Sequence, residues 1–139
     1  MKLAGAAAIT KKISHSKDRA YKLIEWALAK KANKPVILDV KESCGFCDYF
    51  VICSADSSRQ VEAICEEIRK KCKEEKIRIS HIEKDDLSQW VLIDILDVIF
   101  HIFIEEVRDF YNLEYLWKES KKINIPAKKK SFQGKNPLL

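Results

Sequence analysis

Two short segments that are apolar at almost every position constrain the fold of this chain more than any other feature. Val36–Val40 and Tyr49–Cys53 are rich in β-branched and aromatic residues. Such composition in so short a run predicts β-strands that are buried on both faces. Strands of this kind need helices packed against their sheet, so the sequence predicts an α/β fold.

Two amphipathic patterns predict the helices that cover this sheet. In the first, an apolar stripe follows Ser16, which we expect to cap the helix, and ends before Pro35. In the second, Ser57 and Gln60 have the spacing of a capping box, in which both side chains satisfy free backbone N–H groups. The two stripes consist of Ala20, Leu23, Ile24, Ala27 and Leu28, and of Val61, Ile64, Cys65, Ile68 and Cys72.

Three further strands and a helical segment complete the predicted order α-β-β-α-β-β-β-α. Isoleucines alternate with polar residues over Ile77–Ile82, and Trp90–Asp94 and Val98–Ile104 predict two strands joined by a tight turn. A helical pattern begins at Glu105. The fold class is therefore a single α/β domain with a mixed sheet of about five strands flanked by helices.

The domain is predicted to occupy residues 17–120, and the charge is distributed unevenly around it. Residues 1–16 are expected to form a basic N-terminal extension, and residues 121–139 a lysine-rich flexible tail. The whole chain has a net charge of +5, but residues 18–117 hold 15 basic and 20 acidic side chains, a net of −5. An acidic body favours a basic protein surface as its partner over nucleic-acid phosphates, which leaves RNA contact to the basic tails.

Cysteine usage and hydropathy indicate a cytoplasmic protein. The five cysteines are odd in number and irregularly spaced, which is typical of reduced thiols rather than of a disulfide scaffold. No run of about 18 apolar residues is present, so we expect no membrane span.

Two local motifs suggest alternative functions. Cys44 and Cys47 form a Cys-x-x-Cys pair, which could serve a redox or zinc module, but the pair runs into a strand and no second ligand pair accompanies it.

Asp94 and Asp97 flank the predicted strand-to-strand turn and suggest a nucleotidyltransferase-like enzyme. The Asp-x-Asp and Gly-Ser patterns common in two-metal nucleotidyl transfer are absent. The favoured interpretation is therefore that the two aspartates cap the turn by accepting hydrogen bonds from its backbone.

Five segments resemble, in order and spacing, the ribosomal silencing factor family RsfS, also called Iojap. The most specific is Arg108–Trp117, with the pattern Arg-x-x-Tyr-x-Leu-Glu-x-Leu-Trp. The other four are Asp48–Cys53, Ser57–Val61, Trp90–Asp94 and Asp97–His101. The resemblance covers about residues 17–120.

The resemblance implies a non-enzymatic translation repressor that uses no cofactor or metal. Its fold would have nucleotidyltransferase-like topology without the catalytic carboxylates. It would bind ribosomal protein L fourteen on the large ribosomal subunit and block joining of the small subunit. The partner-binding site predicted from the motifs consists of Trp90, Asp94, Asp97, His101, Arg108, Tyr111, Glu114 and Trp117. Trp90 and Tyr111 are expected to be the most buried of these, and exposed strand edges are compatible with a homodimer.

The chain departs from the family pattern at three positions that usually carry glycine, namely Ala55, Lys84 and Leu96. Leu96 matters most, because it precedes Asp97 in the predicted turn and leucine adopts positive φ only at a cost. The Cys44 and Cys47 pair and the lysine tail also fall outside the family pattern.

Overall fold

The sheet has six strands, one more than the sequence predicts. The computed structural model describes residues 2–125, with side chains from Ser16 onward. The elements in chain order are α1 (Lys2–Ala29), β1 (Asn33–Asp39), β2 (Tyr49–Ala55), α2 (Ser58–Glu74), β3 (His81–Lys84), β4 (Trp90–Ile95), β5 (Val98–Ile104), α3 (Glu105–Tyr111), α4 (Leu113–Leu116) and β6 (Lys121–Ile123). The strand order is β3-β4-β5-β2-β1-β6, with β2 and β5 parallel and all other neighbours antiparallel. The predicted single α/β domain with a mixed sheet is confirmed.

Helices α1 and α2 cover one face of this sheet and form the larger core with it. The apolar stripe predicted for α2 is buried at all five positions. In α1, the predicted stripe is buried except at Leu28, which is partly buried. Alternate side chains of the central strands, such as Val51, Ile93 and Phe100, project into this core. This face of the sheet is therefore the buried one.

Helix α1 begins well before the predicted start. Ser16 is not its N-cap, because the helix runs from Lys2 through that position. Residues 2–15 are rich in alanine and lysine, which are strong helix formers, and this propensity extends the helix. Ser16 is instead fully buried and donates a hydrogen bond of 2.8 Å to Asp97 Oδ2.

The cap of α2 is confirmed on the serine side and differs on the glutamine side. Ser57 Oγ accepts a hydrogen bond from the backbone N–H of Gln60 at 3.2 Å. The Gln60 side chain accepts from the backbone N–H of Asp56, and its Nε2 donates to the carbonyls of Lys30 and Lys31. Gln60 therefore ties the start of α2 to the end of α1.

The described fold extends beyond residue 120. Lys121–Ile123 form β6, which pairs with β1 and places Ile123 opposite Ile37. Ile123 and Ile125 pack against the larger core. The sequence does not predict this strand, because three residues that begin with two lysines show no alternation of apolar and polar side chains. The remainder of the predicted tail, residues 126–139, lies outside the described residues.

The alternating pattern over residues 77–82 gives a shorter strand than expected. The strand β3 begins at His81, while Ile77 and Ile79 pack as partly buried side chains on the core without joining the ladder. Within residues 2–125, no helix is long and apolar enough to cross a membrane.

Candidate functional site

The face of the sheet opposite α1 and α2 carries most of the predicted site residues and is only partly covered. We call it the open face; on β4 and β5 it bears Trp90, Leu92, Asp94, His101 and Phe103. A smaller core of buried side chains, including Phe50 and Phe103, lies beneath α3, α4 and the loop 41–48. The two helices have only seven and four residues, so they leave Trp90 and Leu92 partly exposed.

Four rings stack on the open face and connect the sheet to α3. The ring centroid of Trp90 lies 5.0 Å from that of Phe103 and 4.7 Å from that of Tyr111. The His101 and Phe103 rings are nearly parallel, with centroids 6.0 Å apart. Contacts between rings at these separations add stability beyond the area they bury. The stack therefore holds the end of α3 against the sheet, and it brings Trp90, His101 and Tyr111 of the predicted site together.

His101 is a buried, neutral member of this stack. Its Nδ1 accepts a hydrogen bond of 3.2 Å from Trp90 Nε1, and among the described residues its Nε2 has no partner. Burial lowers the pKa of His101 to about 4, so the ring is uncharged at neutral pH. His101 thus orients Trp90 and offers no charge to a partner.

Arg108 and Glu114 join α3 to α4 and to the sheet. The buried Arg108 guanidinium donates from Nε and Nη2 to the two Glu114 carboxylate oxygens at 3.2 and 2.8 Å. Its Nη1 donates at 2.7 Å to the Lys34 carbonyl and to Ser54 Oγ. Paired charge-assisted hydrogen bonds of this geometry fix orientation as well as adding energy. Both motif side chains are therefore engaged within the protein.

Asp94 and Asp97 serve the turn and the helix behind the sheet. Asp94 Oδ1 accepts from the backbone N–H of Leu96 at 3.0 Å, as expected of turn capping. Asp97 Oδ2 accepts from Ser16 Oγ and forms an ion pair of 3.5 Å with Arg19, both on α1. Since Asp94 lies on the open face and Asp97 faces α1, the two carboxylates do not converge. No group of three or more potential metal ligands occurs in the part of the chain described.

Trp117 packs on the smaller core beside Val107 and Leu113, while four other apolar side chains of α3 and α4 are exposed. Trp117 meets Phe50 edge to face at 4.9 Å and is partly buried. The exposed fractions of Phe110, Tyr111, Tyr115 and Leu116 are 80%, 46%, 61% and 70%. We call these four residues the aromatic surface. All four lie within seven residues of the chain, and Phe110 and Tyr111 meet edge to face at 5.2 Å. Exposed apolar side chains that lie close together are typical of interaction sites.

The predicted site contains only one member of the aromatic surface, Tyr111, and expects it to be buried. Phe110, Tyr115 and Leu116 are additional candidates that the motif comparison alone does not single out. The available signal is the density of aromatic residues in Arg108–Trp117, which exceeds what one face of two short helices can bury. Tyr111 remains nearly half exposed because it covers only the edge of the Trp90 ring stack.

Comparison with known proteins agrees with the motif resemblance. The family model described as "Ribosomal silencing factor during starvation" matches residues 13–137. The ribosomal silencing factor RsfS of Halalkalibacterium halodurans is 38% identical over 96 residues, which are 69% of this chain and 82% of that protein. The mouse protein named mitochondrial assembly of ribosomal large subunit protein 1 is 32% identical over 84 residues, 58% of this chain and 37% of that protein. A crystal structure of a Bacillus halodurans protein superposes with a TM-score of 0.65 at 36% identity, covering 73% of this chain and 92% of the other.

Proposed function

The chain belongs to the ribosomal silencing factor family, and we propose that it represses translation by binding ribosomal protein L fourteen on the large ribosomal subunit. Bound there, it prevents the small subunit from joining by steric exclusion. The action needs no catalytic step and takes place in the cytoplasm. The observation that carries this proposal is the aromatic surface, which lies within the segment that most specifically marks the family.

The aromatic surface is suited to docking because the residues behind it are rigidly held. Arg108 and Glu114 fix the joint between α3 and α4, and the Trp90 ring stack supports Tyr111 from the sheet side. Anchors that are already ordered lose little conformational entropy when they bind. The motif residues therefore divide into those that position the surface and those, such as Tyr111, that form part of it.

Charge around the aromatic surface supports a basic partner. Glu106 and Asp109 on α3 are exposed beside Phe110. Together with the net charge of −5 over residues 18–117, they would attract a basic protein and repel bare RNA phosphates. A protein on the large subunit is therefore a better partner for this side of the molecule than ribosomal RNA.

The test is to truncate an exposed anchor, Phe110, that lies outside both cores and meets the half-exposed Tyr111 ring edge to face at 5.2 Å. Phe110→Ala should weaken co-sedimentation with purified large subunits at least tenfold, since a central interface aromatic contributes about 2 kcal/mol or more. Its unfolding midpoint in urea should barely change, because the ring is 80% exposed. Leu87→Ala is the matched control: Leu87 is 66% exposed and lies between β3 and β4, where its carbonyl accepts a hydrogen bond from Ser58 at the start of α2, and its variant should bind normally.

Two further measurements test the identity of the partner and the mechanism of repression separately. Isolated ribosomal protein L fourteen should bind the wild-type chain and not Phe110→Ala. Small subunits added to preloaded large subunits should fail to join with the wild type and join with the variant. Normal binding by Phe110→Ala would refute the aromatic surface as the docking site, whereas binding without inhibition of joining would refute steric exclusion.

A further inference from the structure

The loop 41–48 between β1 and β2 contains a close pair of thiols. Cys44 Sγ and Cys47 Sγ lie 3.5 Å apart, and both side chains are buried. The other three cysteines, Cys53, Cys65 and Cys72, lie in the core on the opposite face of the sheet. We infer that Cys44 and Cys47 form a reversible disulfide within the loop, so that this loop is a thiol-oxidation site of the protein.

The backbone around the loop holds the two sulfurs within reach of each other. The loop is closed at its base by a hydrogen bond of 2.9 Å from Val40 N–H to the Asp48 carbonyl. The Cys44 N–H donates to the Val40 carbonyl at 2.8 Å, and the Asp48 N–H donates to the Asp97 carbonyl at 2.7 Å. A disulfide bond is about 2.05 Å long, so the sulfurs must approach by only about 1.5 Å. That movement is within the range of side-chain rotation.

The residues between the two cysteines leave room for this adjustment. Gly45 and Phe46 are exposed, Phe46 by 73%, and no heavy atom lies within 4 Å of the position that a Cβ on Gly45 would occupy. The loop can therefore shift at its tip without disturbing the packed core. Reorientation of exposed residues costs little compared with that of buried ones.

Oxidation of Cys44 and Cys47 needs an oxidant, and a small disulfide such as oxidised glutathione can supply it by thiol–disulfide exchange. One cysteine loses its proton, and its thiolate attacks the oxidant to give a mixed disulfide and one glutathione thiol. The second cysteine, also deprotonated, displaces the second glutathione and closes the intraloop bond. Two protein thiols are oxidised by two electrons, and one glutathione disulfide is reduced to two thiols. Burial raises the pKa of Cys47, so this exchange is slow and must be followed to equilibrium.

The site adjoins the C-terminal helices but does not depend on the proposed function. Cys44 and Cys47 pack in the same cluster as Phe50 and Trp117, and Ser43 Oγ lies 3.3 Å from Ser120 Oγ. No third histidine, cysteine or carboxylate joins the pair within the described residues, which disfavours a zinc site. Disulfide formation can therefore be measured without ribosomes.

The experiment equilibrates the full chain in glutathione redox buffers, starting from both the reduced and the diamide-oxidised forms, and then blocks free thiols by alkylation. After alkylation of the unfolded chain, the oxidised form should carry three alkyl groups and the fully reduced form five, one on each cysteine. Trypsin followed by chymotrypsin should cut at Phe46 and leave the Cys44 and Cys47 peptides joined. The Cys53→Ala variant, which puts no polar group into the core, should form the same linked peptides as the wild type, while Cys44→Ser and Cys47→Ser should lack them.

A second measurement tests whether the folded loop favours the disulfide by holding the two thiols close together. The equilibrium constant for oxidation by glutathione should be at least tenfold larger for the folded chain than for the chain in urea, because the fold holds the thiols close. An equal or smaller constant in the folded state would overturn the inference. So would a fully alkylated Cys44 and Cys47 pair after equilibrium in oxidising buffer, or stoichiometric zinc in the reduced protein by elemental analysis.

Discussion

The charged residues of the family motif act mainly inside this protein. Glu114 neutralises the buried Arg108 guanidinium, and Asp97 holds Ser16 and Arg19 of α1 against the turn. Reversing either carboxylate would leave a buried or half-buried group without its partner, which costs several kcal/mol for a buried ion pair. A loss of ribosome binding in such variants would report unfolding as readily as lost contact. Exposed apolar residues therefore give the cleaner test of docking.

His101 makes the stability of the fold depend on pH. Burial lowers its pKa from the ordinary 6.5 to about 4, so the unfolded chain takes up a proton at higher pH than the folded chain does. The free energy of unfolding should therefore fall as the pH drops from about 6.5 towards 4. The loss attributable to this residue is on the order of 3 kcal/mol.

Urea unfolding of the wild type and of His101→Phe between pH 7 and pH 4 isolates this effect. The variant keeps an aromatic ring in the stack but cannot titrate, so the difference in stability between the two proteins should change across that range. Parallel curves for the wild type and His101→Phe would show that His101 is not the cause.

At the scale of elements, the sequence predicts segments that bury a full apolar face and misses those that depend on distant partners. The strand β2 and the stripe of α2 follow from composition and period alone, and β2 is buried at every position. The strand β6 forms only because β1 offers an unpaired edge. The sequence pattern misses the N-terminal turns of α1 for another reason. Ser16 is a plausible capping residue and indicates a helix start there, although alanine-rich sequence precedes it.

The turn between β4 and β5 carries a strain that the sequence does predict. Leu96 has a φ of 62° and is 51% exposed, so its side chain gains little from burial. A left-handed conformation costs an ordinary residue roughly 1–2 kcal/mol, and glycine adds about 0.5–1 kcal/mol of chain entropy. Leu96→Gly should therefore raise the free energy of unfolding by about 0.5 kcal/mol.

Chemical denaturation of this variant beside Leu87→Gly provides the comparison. Leu87 is exposed to a similar degree but does not have positive φ, so glycine there should only destabilise the chain. Opposite signs for the two substitutions would identify backbone conformation as the cause. A loss of stability in Leu96→Gly would mean that the Leu96 side chain contributes more than its exposure suggests.

At the scale of the whole molecule, the two faces of the sheet explain which parts of the site were predictable. Period and composition identify the face under α1 and α2, because two long stripes must meet a sheet. They do not place Trp90 and His101 in one ring stack on the opposite side, because that stack depends on the register of β4 against β5 and on the position of α3. They also do not reveal how much of that side the two short helices cover. The extent of this cover leaves Phe110 exposed and Arg108 buried.

The C-terminal limit of the cooperative fold is the last consequence of this architecture. The strand β6 completes the sheet beside β1, Ile123 and Ile125 pack on the larger core, and Tyr21 donates a hydrogen bond of 3.3 Å to the Asn124 carbonyl. A chain that ends after Ile125 keeps all these contacts, so we expect it to unfold in urea like the full chain. A chain that ends after Ser120 loses them, which should cost about 2 kcal/mol from the two partly buried isoleucines and expose the edge of β1 to aggregation. Equal stability of the two truncated chains would show that β6 contributes nothing, and a loss already present in the longer one would assign a stabilising role to residues 126–139.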